Sequence, residues 1–122
     1  MSWISIAAVY GALAVVAGAF GAHGLKSRVS PEQLSAWHTA ANYHLIHSAV
    51  LLALGIYGQT TGRSVVLPGS LFALGVLLFS GSIYLLVLSP ARWLGPVTPV
   101  GGTLMIAAWV SLLFVMRGPA QP

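Results

Sequence analysis

Near neutral pH, the groups in this 122-residue chain that can move a proton or hold a metal are four histidines and a single carboxylate, Glu32. Three of the histidines, His38, His44 and His47, crowd one segment together with Trp37, Thr39, Asn42, Tyr43 and Ser48, and His23 precedes it. An imidazole that is neutral near pH 7 both donates and accepts, so such a group can relay protons. Histidines three apart on a helix can also share a metal, with His23 as a third ligand, so His23, His44 and His47 are the candidate metal or haem ligands. A single carboxylate excludes paired-carboxylate hydrolysis, an Asp-supported Ser-His triad and a carboxylate-bridged dinuclear site. With no cysteine there is no thiolate chemistry and no disulfide.

The elements that must position these groups are apolar helices. The chain is 57% hydrophobic and only 5% charged, where soluble domains carry about 25% charge. Its mean hydropathy is +0.90. Six charged side chains cannot keep so much apolar surface in water, so the chain is expected to be all-α, an integral membrane four-helix bundle with short connections. A crossing helix needs about 20 apolar residues. Residues 3–22, 65–88 and 97–116 meet that length, and the apolar run 43–57 needs flanking residues to span. Residues 1–122 are read as one transmembrane domain with helices over about 3–24, 31–58, 65–88 and 98–116. The first stretch has no basic residues before it and is longer than a usual signal-peptide core, so it is expected to stay.

Local chemistry punctuates these runs. Ser30, Pro31 and Gln33 make a capping box with proline at the first helical position. Thr98-Pro99 repeats the cap-plus-proline signal, Ser89-Pro90 ends the third helix, and Gly58 to Gly62 turns the second. Trp3, Trp37, Trp93 and Tyr57 lie near segment ends, where amphipathic rings settle among head groups; Trp109 lies mid-helix. The five basic residues (Lys26, Arg28, Arg63, Arg92 and Arg117) are scattered, with no stripe to track phosphates, so lipid head groups rather than nucleic acid are the expected partner. Three of them on the first and third connections, against two on the other side, tilt those connections towards the cytoplasm.

Helix packing in lipid relies on small residues. Ala7, Gly11, Ala14, Gly18 and Gly21 or Ala22 form a stripe on the first helix, with Val9, Leu13, Val16 and Phe20 opposite. Gly75 and Ser82 share a face of the third helix, and Gly101-Gly102 opens the fourth. On the second helix, at about 100° per residue, Gln33, Trp37, Ala40, His44 and His47 fall on one broad stripe, with Tyr43 and Ser48 at its edges. His38, Thr39 and Asn42 form a row on the opposite side. If residues 31–42 lie in the interface, His44 and His47 come within reach of His23. If they continue as one long helix, His23 is too far away.

The motifs Gly18-Ala19-Phe20-Gly21-Ala22-His23-Gly24-Leu25-Lys26, Trp37-x-x-Ala40-x-x-Tyr43-His44-x-x-His47, Gly81-Ser82-x-Tyr84 and Trp93-Leu94-Gly95-Pro96-x-Thr98-Pro99-x-Gly101-Gly102 resemble the YgdD/YwdK-type family of small bacterial inner-membrane proteins. The resemblance runs through nearly the whole chain in matching order. It implies a four-helix inner-membrane protein, with a site on His23, Trp37, Tyr43, His44, His47, Tyr84, Thr98 and Pro99, and it carries no established activity. The leading expectation is a non-enzymatic accessory or assembly component that needs no cofactor, works through packing, and is a homo-oligomer or a partner of other membrane proteins. The competing expectations are a proton, solute or lipid pathway on the polar stripe of helix two, and a metal or haem site.

Overall fold

The computed structural model describes residues 2–115. The expected last helical residue Met116 and the closing Arg117 lie outside the described residues. The order is α1 (Trp3–His23), α2 (Pro31–Thr61), α3 (Val66–Leu88), a 3-10 turn over Arg92–Leu94, and α4 (Val97–Val115). All four α-helices are long and apolar enough to cross a membrane. They form an up-and-down bundle in which α1 packs on α2, α2 on α3 and α3 on α4.

Helix ends follow local chemistry where a polar partner was encoded nearby. Ser30 Oγ accepts from Gln33 N while the Gln33 side chain accepts from Ser30 N, which completes the capping box. The ends of α1 and α3 shift by one residue, and two other ends differ from expectation in their chemistry. The α2 helix runs past Gly58 to Thr61, because the Thr60 and Thr61 hydroxyls bond back to the carbonyls of Ile56 and Tyr57 and Gly62 supplies the left-handed cap at φ 73°. At α4, Thr98 does not cap: its hydroxyl meets Ser82 Oγ at 2.5 Å, joining α3 to α4, and the helix starts at Val97.

The α2 helix is continuous, so residues 31–42 do not bend into the interface. Its 31 residues give about 46 Å at 1.5 Å per residue, against a hydrocarbon thickness of about 30 Å. Trp37 holds the polar half inside the bundle, donating its indole N–H to the carbonyl of Ala17 at 2.7 Å. Around it Ala17, Leu25 and Ala41 are buried. A second core, nearer the other end, gathers Ala7, Leu51, Leu54, Val65, Phe72 and Ala108.

The packing seams depart from expectation at Gly11, Gly18 and Gly102. On α1 the buried set is Ala7, Ala14, Ala17 and Gly21. Gly11 has only ordinary contact with Ser48, and a Cβ on Gly18 would meet nothing within 4 Å. The contact line follows the alternating three-and-four spacing of helices that coil around each other; it passes through Ala17 and leaves Gly18 to one side. A tight backbone seam lies between α3 and α4. A Cβ on Gly75 would lie 2.9 Å from Met105 N, and one on Gly101 would lie 2.7 Å from Gly75 O. The next residue, Gly102, faces only the Phe79 ring, at 3.7 Å.

Candidate functional site

Three hydrogen bonds from side chain to backbone tie the helices together around the site. Besides the Trp37 bond to α1, Ser80 Oγ donates to the Ala40 carbonyl at 2.8 Å, joining α3 to α2. Tyr10 donates its hydroxyl to the Ala73 carbonyl at 2.8 Å, joining α1 to α3. Each donor satisfies itself on a neighbouring helix, as a polar group away from water must.

His44 and His47 share a stripe on α2 yet go to different neighbours. Three residues at about 100° each leave them about 60° apart on the helix. That separation carries His44 towards α1 and Tyr84, and His47 towards α4. His44 Nδ1 lies 2.9 Å from the Tyr84 hydroxyl, and its ring meets Tyr10 edge-on at 6.0 Å. The Tyr84 ring packs at 4.5 Å on Trp37, which in turn meets Phe20 edge-on. His47 receives the indole N–H of Trp109 at Nε2, 3.2 Å away, and its Nδ1 lies 2.8 Å from the Tyr43 carbonyl. The indole can only donate and the carbonyl can only accept. His47 is therefore a neutral ring protonated on Nδ1, with both nitrogens engaged inside the protein. Tyr43 is half-exposed, stacks on His47 and packs against Phe79.

His23 joins neither group. It is exposed at the end of α1, about 20 Å along the helix from Tyr10. Among the described residues no three histidine or carboxylate side chains come together to hold a metal ion. Of the two arrangements open to the sequence, the continuous α2 is the one found, and His23 stays apart from His44 and His47. Sequence reasoning missed Tyr10, Ser80 and Trp109. Each was detectable as a polar atom in the middle of an apolar run, but its partner lies 40 to 63 residues away.

Beside His44 a groove of about 370 Å³ opens between α1 and α3, which do not pack directly on each other along its length. Leu13, Val16 and Phe20 form one wall and Val76, Leu77 and Leu88 the other, with Trp37 and His44 of α2 as the floor. Tyr84, Ser80 and Gly81 line it as well. A Cβ on Gly81 would meet nothing within 4 Å, so this glycine keeps the groove wide. The lining is almost wholly apolar, and the His44–Tyr84 pair supplies its polar feature. Whichever of the two donates, the Tyr84 oxygen keeps capacity for one more hydrogen bond.

The family described as a protein of unknown function (DUF423) matches residues 17–102. The chain belongs to this family. A UPF0382 membrane protein of Staphylococcus aureus is 41% identical, and one of Staphylococcus haemolyticus 42%, each over 91% of both chains. The UPF0382 membrane protein YwdK of Bacillus subtilis is 36% identical over 91% of this chain and 92% of its own. No solved structure matches. The DUF423 match encloses the floor and the α3 wall of the groove, from Trp37 to Tyr84, while Tyr10 and Trp109 lie outside it.

Proposed function

We propose that this DUF423 chain is a non-enzymatic, multi-pass component of the bacterial inner membrane that holds one amphipathic lipid in the groove between α1 and α3. The observation that carries the reading is the groove itself: largely apolar, open between two helices long enough to span, with the His44–Tyr84 pair in its lining. A cleft that opens into the bilayer is filled from the bilayer. Its apolar walls suit a hydrocarbon or isoprenoid chain, and the Tyr84 oxygen suits one hydroxyl on that chain, which can donate to it or accept from it. The reading sharpens the expected lipid pathway on helix two. Trp37, His44 and Tyr84 serve as lining, whereas His47 and Tyr43 brace α4 and α2.

The test is native mass spectrometry of protein released from nanodiscs of native lipid, comparing the wild type with Gly81→Leu and Tyr84→Phe. The wild type is expected to retain about one lipid per chain. A Cβ at Gly81 has open space, so Gly81→Leu is expected to fill the groove and lose the lipid while keeping the wild-type melting temperature. Tyr84→Phe is expected to shift which lipid is retained. Equal lipid retention in wild type and Gly81→Leu would overturn the proposal.

A further inference from the structure

The outward face of α2 carries an unusual row. Ser35, Thr39, Asn42, Ile46, Ala49, Ala53 and Ile56 follow each other at alternating intervals of four and three, and all are exposed in the single chain. That spacing is the seam along which two helices coil around each other. The row is about 32 Å long at 1.5 Å per residue, close to the full thickness of the hydrocarbon core.

Asn42 determines what meets this face. Ser48 on α2 lies beside Gly11 on α1, and Trp37 lies beside Gly21, so in this antiparallel pair Asn42 is level with about Ala17. That places it about 9 Å inside the end of α1, within the apolar run that continues to Ala22. Every buried polar side-chain atom among the described residues has a hydrogen-bond partner. Even the outward hydroxyl of Thr103 returns to the Pro99 carbonyl. Among the described residues the Asn42 carboxamide makes no such bond, nor do the hydroxyls of Thr39 and Ser35. A carboxamide left unpaired in hydrocarbon is costly, and its most effective relief is a polar group on another helix.

We propose that two copies of this chain associate in parallel through the outward faces of α2, with Asn42 of each copy hydrogen-bonding Asn42 of the other. The occupant follows from the chemistry. A carboxamide is donor and acceptor at once, so it is complementary to itself, and a two-fold axis along the membrane normal brings like residues opposite each other. Ala49 and Ala53, deeper in the membrane, allow close backbone approach beyond the polar contact. The lipid groove lies on the inner side of α2 and stays open. The dimer rests on the membrane-spanning arrangement and not on lipid binding.

The chain has no cysteine, so single cysteines report the contact cleanly. In liposomes under mild oxidation, Ala49→Cys is expected to form a disulfide-linked dimer, and Ile106→Cys on the outward face of α4 is not. Adding Asn42→Leu to Ala49→Cys is expected to lower the association constant about tenfold, and Asn42→Gln to restore much of it. Energy transfer between labelled copies diluted in lipid gives a readout that does not depend on disulfide chemistry. Equal cross-linking at positions 49 and 106, indifference to Asn42→Leu, or no energy transfer at any dilution would each overturn the proposal. Helical content like that of the wild type and the absence of aggregates identify Asn42→Leu as folded, so that loss of dimer is read at the interface.

Discussion

Trp109 on α4 donates to Nε2 of His47 on α2 at 3.2 Å, and that one bond sets the state of the imidazole. Because the other ring nitrogen bonds the Tyr43 carbonyl, the ring is neutral and points one way. Trp109→Phe keeps an aromatic ring against Phe72 and removes the donor. The expected loss is about 1 kcal/mol, in the range for one hydrogen bond between membrane helices. A double-mutant cycle with His47→Leu, measured by unfolding in mixed micelles, is expected to give a coupling of about 0.5 to 1.5 kcal/mol. No coupling would mean that ring packing alone holds α4 in place.

The α3–α4 seam makes a sharper contrast. Gly101→Ala puts a methyl against the backbone of Phe79 and the carbonyl of Gly75, neither of which can rotate away. Overpacking of this kind costs about 1 to 3 kcal/mol. Gly18→Ala adds the same methyl to open space and removes a helical glycine, so it is expected to be neutral or to gain about 0.5 to 1 kcal/mol. Thermal melting of the two variants in one detergent checks both signs. If Gly18→Ala were the damaging change, the small-residue stripe read from the sequence would be the true seam.

These two cases show where the sequence was informative. Features that depend on a few neighbouring residues were legible: the Ser30–Gln33 box, the stop at Ser89-Pro90, and four apolar runs of spanning length. Features set by a second helix were not. The wheel of α2 put His44 and His47 on one stripe, and only the position of α3 between their directions separates them. Thr98 reads as a cap locally, yet a hydroxyl 16 residues earlier claims it. Ala14 lies on both the small-residue pattern and the contact line of α1, but at the next turn Gly18 fits the pattern while Ala17, one residue earlier, is the one buried.

That dependence on neighbouring helices also bears on the groove. The α1 and α3 helices stand apart along it, and the Tyr10–Ala73 bond joins them at the end nearer the middle of the bundle. Tyr10→Phe changes no shape except the loss of one oxygen, so the bundle is expected to lose only about 0.6 kcal/mol. The spacing of α1 and α3 is then held by their separate contacts with α2, through Trp37 to Ala17 and Ser80 to Ala40. A groove without its end tie opens more often, so bound lipid is expected to exchange several-fold faster than in wild type. Exchange followed by native mass spectrometry after mixing with nanodiscs of isotope-labelled lipid measures that rate. An unchanged rate would assign the width of the groove to α2 alone and leave the Tyr10 hydroxyl as a satisfied polar group with no part in holding lipid.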